Sequence, residues 1–271
     1  MRGRQAILAG ALAFAVAGGT CGAARAQVAD VDVELVLAVD VSGSMDAREH
    51  AAQRNGYVEA FRHPEVIQAI RNGLTGRIAV AYVEWAGAPY QDLVVPWMAI
   101  EDEASAERFA AALEAAPINE FSGTSISAGL DFAASQFGSS GVAGIRRVID
   151  VSGDGPNNRG RPVLEARAEV LERGITINGL PIVVGRAGGS LATELLDVYY
   201  GDCVIGGPGA FLITVDDIAR LAEGIRRKLV LEIAGPPARV MAAQWSDPAA
   251  PAKRIDCLIG ERLRGRWYDD P

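Results

Sequence analysis

The chain has 271 residues, with 26 Lys and Arg against 34 Asp and Glu, and a formal net charge of −8 at neutral pH. A hydrophobic fraction of 49% and a charged fraction of 22% suffice to bury one substantial core, which excludes a disordered chain. The acidic balance argues against nucleic acid or an anionic lipid surface as partner, since both repel a protein of this charge.

The first element is a leader. Met1-Arg-Gly-Arg4 is basic, Ala6 to Ala17 is apolar and Ala24-Arg-Ala26 has the small-x-small form of a cleavage signal, so residues 1–26 are expected to be a secretory signal peptide. Its apolar run is shorter than the roughly 20 residues a transmembrane helix needs. The mature chain is therefore expected to be exported, periplasmic or extracellular, without stable membrane insertion. Cleavage after Ala26 would remove Arg2, Arg4 and Arg25 but no acid, leaving a more acidic chain. Cys21 would leave as well. The two remaining cysteines, Cys203 and Cys257, in an oxidising compartment suggest one disulfide that pins the tail to the domain.

A single α/β domain is expected over residues 32–234. Leu35 to Val39 are five consecutive apolar residues, as in a strand covered on both faces, and Asp40-Val-Ser42-Gly-Ser44 follows at the edge where open α/β sheets place ligands. Asp46 to Arg62 reads as a helix, restarting at Pro64 with Val66, Ile67 and Ile70 on one face; His50 and His63 fall here as surface or capping residues. Arg77 to Ala86 and Gln91 to Ile100 form a hairpin, which puts an antiparallel strand at the sheet's edge, and Trp85 and Trp97 are expected in the core. Glu101 to Ala116 is an acidic amphipathic helix. Gly123-Thr124-Ser125 then opens the helical pattern Ile126, Leu130, Phe132, Ala133, Phe137, and Ile145 to Asp150 is a strand running into Val-Ser-Gly-Asp154-Gly.

A loop over Gly155 to Gly160 leads to a helix from Pro162 to Arg173 and a buried strand from Ile175 to Val184. A short helix over Ser190 to Tyr200, a last strand from Phe211 to Val215, and a helix from Asp216 to Ile233 capped by Asp216 or Asp217 complete the domain. This alternation predicts a doubly wound, mostly parallel sheet with one antiparallel edge strand and helices on both faces. Over residues 235–271, the prolines and the isolated Trp245, Trp267 and Tyr268 indicate a poorly structured extension packed loosely on the domain.

Asp40, Ser42, Ser44, Thr124 and Asp154 all stand at strand ends or helix starts and supply the oxygen donors that a hard divalent cation prefers. Each alone is an ordinary capping or turn residue. Taken in order, the pattern Asp-x-Ser-x-Ser, then Thr, then Asp resembles the metal-ion-dependent adhesion site of the von Willebrand factor A (vWA) domain. That resemblance implies a vWA/Rossmann-like fold binding Mg²⁺ or Mn²⁺. Ser42 and Ser44 would bind the ion directly, Thr124 directly or through water, and Asp40 and Asp154 mainly through waters. A sixth position would be left for an exposed Asp or Glu of a partner protein. It also implies that ligand binding draws the ion towards Thr124 and shifts the helix over about 216–233. The last motif reads Ser-Gly-Asp-Gly where the family more often has Thr-Asp-Gly; the carboxylate is kept, and Ser152 offers an extra hydroxyl. Asp150 to Gly155 and Cys203 to Phe211 further resemble a bacterial branch of this superfamily classed as a domain of unknown function.

The expected function is a secreted, divalent-metal-dependent protein-binding module rather than an enzyme. A Mg²⁺-dependent phosphatase of the haloacid dehalogenase type wants Asp-x-Asp, and Ser42 occupies the place of its proton-donating carboxylate. A hydrolase working through Ser42 or Ser44 needs a paired base, which neither histidine is placed to be. The third reading is a structural subunit of an envelope complex. Ligand choice is assigned to the loops 87–90, 117–123, 155–161 and 185–190.

Overall fold

The computed structural model describes residues 29–184, 195–235 and 255–268. The leader over 1–26, residues 190–194 of the predicted short helix, the loop 185–190 and Trp245 lie outside these, and the side chains of Trp267 and Tyr268 are not described. Five strands, β1 (Ala29–Asp40), β2 (Ile78–Trp85), β3 (Gln91–Ile100), β4 (Val142–Gly153) and β5 (Thr176–Pro181), form one sheet in the order β3-β2-β1-β4-β5. All neighbours are parallel except β2 and β3, so β3 is the antiparallel edge strand that the hairpin pattern predicts.

The helices are α1 (Ala47–Arg62), α2 (Pro64–Arg71), α3 (Glu103–Ala115), α4 (Ile126–Gln136), α5 (Val163–Glu172), α6 (Leu196–Tyr199), α7 (Leu221–Ala234) and α8 (Ile259–Tyr268). Alternation along β1 sorts them. Val33, Leu35, Leu37 and Val39 point into a core shared with α1, α2, α3 and α7, whereas Val36 and Ala38 point into a second core with α4, α5 and α6. Helices therefore cover both faces. Trp85 is fully buried against Gly129 of α4, where an added Cβ would lie 2.8 Å from the indole ring. Trp97 is half-buried, its ring 5.6 Å from that of Phe137.

Two groups of paired charges are sealed inside these layers. Arg54 of α1 meets Glu84 of β2, and Lys228 of α7 lies between Asp150 of β4 and Glu232 of its own helix. Such groups are tolerated only when paired, because desolvation of a lone charge costs several kcal/mol.

The structure corrects the sequence reading in six places. The last strand, Phe211–Val215, is reduced to isolated parallel bridges, Gly179 with Leu212 and Ile182 with Val215. Gly179 donates to Phe211 and Ile213 donates back to Gly179, but the next donor in such a ladder would be the nitrogen of Pro181, which carries no hydrogen. β5 ends at the same proline instead of running to Val184. The short helix continues past Tyr199 as a π-turn over Tyr200–Val204, and the last helix starts as a 3₁₀ turn, Ile218–Arg220, capped by Asp217. The extension is not loose throughout, since α8 forms within it, tethered by a disulfide between Cys203 and Cys257 with a Cα–Cα distance of 5.6 Å. Finally, His50 is buried on the inner side of α1 rather than at the surface, while His63 caps α2 by accepting from the Glu65 amide at 3.2 Å.

Candidate metal centre

β1 and β4 are adjacent, yet their following helices lead to opposite sides of the sheet, since β1 passes to β2 and β4 to β5. A crevice opens at such a switch point, beyond the C-terminal ends of the two strands. Asp40 ends β1 and Asp154 immediately follows β4.

The chain turns at Asp40 because its Oδ1 accepts the Ser42 amide at 2.7 Å, an Asx turn that ends the strand. The Gly43 amide donates to the Phe121 carbonyl at 2.8 Å and the Phe121 amide donates to Val41 at 3.0 Å, fastening loop 117–123 alongside. Met45 is buried in the α1-side core, and Asp46 begins α1 with a capping box to Glu49. The turn is thus fixed on three sides, and Ser42 and Ser44 project from it.

Thr124 comes from a separate loop. Gly123 before it has φ +87°, a left-handed conformation that a side chain would disfavour, and Ser125 after it caps α4 by accepting from the Ala128 amide at 3.3 Å. Asn158 holds Thr124 from the far side. Its Oδ1 accepts the Thr124 amide at 3.1 Å, and the Thr124 carbonyl accepts the amides of Asn158 at 2.9 Å and Arg159 at 3.1 Å.

All five residues singled out in the sequence meet here. The Thr124 hydroxyl donates to Ser42 Oγ at 3.5 Å, Ser42 Oγ is 2.9 Å from Ser44 Oγ, and the Ser44 hydroxyl donates to Asp154 Oδ1 at 2.5 Å. Asp40 is fully buried, with one carboxylate oxygen, Oδ2, lacking any hydrogen-bond partner. Burial first, and the nearby Asp154 second, push the Asp40 carboxyl well above its ordinary range. Two acids, one of them with an unsatisfied buried oxygen, facing three hydroxyls form a donor set suited to a hard cation. Among the described residues no cluster of three or more His, Cys, Asp or Glu side chains is arranged for a metal; the centre is hydroxyl-rich, with only two carboxylates. Gly153 makes room for it, because a Cβ there would sit 2.8 Å from Asp40 Oδ2 and 2.9 Å from the Tyr200 hydroxyl.

Above the cluster a cleft of about 190 Å³ opens between Ser44, Thr124, Asp154 and Asn158. A neighbouring trough is bordered by Asp46, Glu49 and Glu120, so the mouth is acidic. Burial lowers the pKa of His50 below the usual histidine range, against the opposing pull of Glu120 and Asp154.

Sequence reasoning missed Asn157, Asn158 and Gln53 as supports of this site, whereas Ser152 was singled out as an extra hydroxyl. Asn157 and Asn158 sit in a stretch read as a loop for ligand choice rather than as a brace for Thr124, and their Asn-Asn pair after Gly-Pro was the available signal. Gln53, which donates to the Asp40 carbonyl at 3.3 Å, had no distinguishing pattern. Ser152 is fully buried on the same face of β4 as Asp150, beneath the site.

Residues 30–237 match the model of a family described as "Protein of unknown function (DUF1194)". No curated protein matches the chain. Among solved structures, proximal thread matrix protein 1 of the mussel byssus, with a zinc-occupied MIDAS motif, aligns with a TM-score of 0.56 at 18% identity, over 76% of this chain and 49% of that one. A von Willebrand factor type A protein from Catenulispora acidiphila gives 0.50 at 18% identity, over 76% and 43%. The conserved hypothetical protein BatB from Bacteroides thetaiotaomicron gives 0.50 at 20% identity, over 74% and 98%. The present chain spans about half the length of the mussel protein. These likenesses establish a vWA-type fold.

Proposed function

Because the chain belongs to the DUF1194 family and carries a vWA-type fold, we propose that it is an exported binding module that presents a divalent cation, Mg²⁺ or Mn²⁺, to a carboxylate of a partner protein. The observation that carries this reading is the buried, unpartnered Oδ2 of Asp40 beside the hydroxyls of Ser42, Ser44 and Thr124 and the carboxylate of Asp154. A cation there would satisfy that oxygen and offset the repulsion between the two acids. Bound, it supplies Lewis acidity towards an incoming Asp or Glu. The protein's own residues fix the donors: Asp40 ties the Ser42 loop to β1, and Asn158 ties Thr124 to the Asp154 loop. The acidic mouth is consistent with a partner carboxylate that approaches only when a cation bridges the two.

Turnover has little support. Burial holds His50 towards the neutral form, but its ring is enclosed, and the acceptor beside the Ser44 hydroxyl is Asp154, itself one of the five candidate cation ligands. Export is supported by the leader-like residues 1–26 and by the Cys203–Cys257 disulfide, and no described helix is long and apolar enough to cross a membrane. The zinc-occupied motif of the mussel protein supports a metal at this position in the fold without fixing the metal here.

Calorimetric titration of the purified protein with Mg²⁺ and Mn²⁺ tests the reading. One weak site is expected, lost in the double change Ser42→Ala with Ser44→Ala; undiminished binding in that variant overturns the assignment. Hydrolysis of a phosphate or acyl ester that disappears in Asp40→Asn would replace the binding module with an enzyme. A pull-down from envelope extract with and without EDTA addresses the partner.

A further inference from the structure

The C-terminal helix reaches the candidate centre by a route that neither the motif nor the fold requires. After Cys257 is tied to Cys203, Ile255, Cys257 and Ile259 pack against the core beneath α6, and α8 runs over the loop that follows Asp154. Gly260 meets that loop so closely that a Cβ there would lie 2.1 Å from the carbonyl oxygen of Asn157. Two polar contacts accompany the approach. Asn157 Nδ2 donates to Glu261 Oε1 at 2.7 Å, and Arg264 donates to the Asn158 carbonyl at 3.3 Å.

Both contacted residues hold the site. Asn157 is fully buried, and its Oδ1 accepts the Ser127 amide at 3.0 Å in the first turn of α4, whose cap directly follows Thr124. Its second Nδ2 contact is to the Arg161 carbonyl at 3.1 Å, and its amide donates to the Tyr199 hydroxyl at 3.2 Å. Asn158 grips Thr124 through side chain and main chain together. The loop from Asp154 to Arg159 thus joins a carboxylate and a hydroxyl of the centre, and α8 presses on its outer side.

We infer that α8 is a positioning element for the cation site: Gly260, Glu261 and Arg264 hold Asn157 and Asn158 so that Thr124 and Asp154 stay at binding distance, and the Cys203–Cys257 disulfide keeps α8 in place. The inference rests on the proposed cation site and adds a chain segment outside the five-residue motif to it. Groups that orient ligands from behind typically change metal affinity by roughly tenfold to a hundredfold when removed.

The test uses the full chain in five forms: wild type, Gly260→Ala, Glu261→Ala, Glu261→Gln and the double variant Cys203→Ser with Cys257→Ser. Mg²⁺ and Mn²⁺ affinity is read by calorimetry, and hydrogen exchange of the Thr124 and Asn158 amides is read without metal. Gly260→Ala and Glu261→Ala are expected to weaken cation binding roughly tenfold or more and to speed exchange at both amides, with the circular dichroism of the domain unchanged. Glu261→Gln keeps the accepting oxygen and is expected to restore both readouts. The double variant Cys203→Ser with Cys257→Ser is expected to reproduce the Gly260→Ala result. Wild-type affinity and exchange in Gly260→Ala and Glu261→Ala overturn the positioning role while leaving the cation site standing. Faster exchange in a protein whose wild type binds no cation overturns the site reading and, with it, the role of α8 as its positioning element.

Discussion

Lys228 and Glu232, one turn apart on α7, form an ion pair in which neither side chain has any solvent exposure, and Lys228 also meets Asp150 of β4. Two acids therefore share one lysine inside the core. Burial and the adjacent Asp150 raise the Glu232 pKa from 4.5 to about 8. Unfolded, this carboxyl ionises near its ordinary value, so between about pH 4.5 and 8 the folded protein holds the extra proton. Stability should fall as pH rises across that window, with a slope of up to about 1.4 kcal/mol per pH unit. Glu232→Gln removes the titrating group and should flatten the decline, its advantage growing towards pH 8. Urea unfolding at three pH values checks this, and parallel curves for the two proteins would contradict it.

The Arg54–Glu84 pair behaves differently, because among the ion pairs of the described residues Arg54 meets the single acid Glu84. Arg54 also donates to the carbonyls of Leu113 and Ala116, both at 3.0 Å, holding the end of α3 where loop 117–123 begins. Arg54→Met should cost about 3–5 kcal/mol by stranding Glu84. Adding Glu84→Leu to Arg54→Met should recover much of the loss in a denaturant titration, since both charges are then gone.

Asp40→Asn separates metal binding from folding. The amide keeps an acceptor for the Ser42 amide but removes a buried charge that Asp154 opposes. Without metal, the variant should be about 1 kcal/mol more stable at neutral pH, which for a domain of this size raises Tm by about 2–4 °C. With metal the order should reverse, as the wild type gains about 2.7 kcal/mol at a hundredfold excess over Kd and the variant gains nothing. Differential scanning calorimetry with and without Mg²⁺ measures both halves.

Two glycines beside the centre should respond oppositely to alanine. Gly123 has a positive φ, so Gly123→Ala should cost about 1–2 kcal/mol. At Gly43 the nearest atom to an added Cβ is the exposed Glu120 carboxylate at 3.0 Å, which can swing aside, and Gly43→Ala should stay within about 0.5 kcal/mol of wild type. Thermal melts of the two variants decide the contrast.

Strand and helix periodicity shows that the five candidate ligands stand near places where an apolar run stops or starts, and the resemblance to the vWA metal site is what joins them into one set. The antiparallel edge was legible from the same periodicity, with Gly87-Ala-Pro89 marking the turn. What local pattern did not show was set by tertiary contact. Lys228 follows Arg226 and Arg227 and has the sequence look of a solvated face, yet it is fully buried because β4 brings Asp150 to it. α8 has no strong apolar stripe, and its place depends on Cys257 and on the missing side chain at Gly260. The Phe211–Val215 strand was misread although its cause was visible, since Pro181 lies in the neighbouring strand rather than in the segment being judged.

The Cys203–Cys257 link, with a sequence separation of 54, also determines how a pull would travel through the molecule. Tension applied beyond residue 268 would first peel α8 from the Asn157 loop and then arrive at Cys203, next to β5. The covalent bond bypasses everything between the two cysteines, α7 included, so that helix would bear no load. A mechanical stretch from the C-terminal side would thus reach the Asp154 loop before any other part of the domain, and extension in a single-molecule experiment would stop short by the length of the 54-residue loop unless a reductant were present.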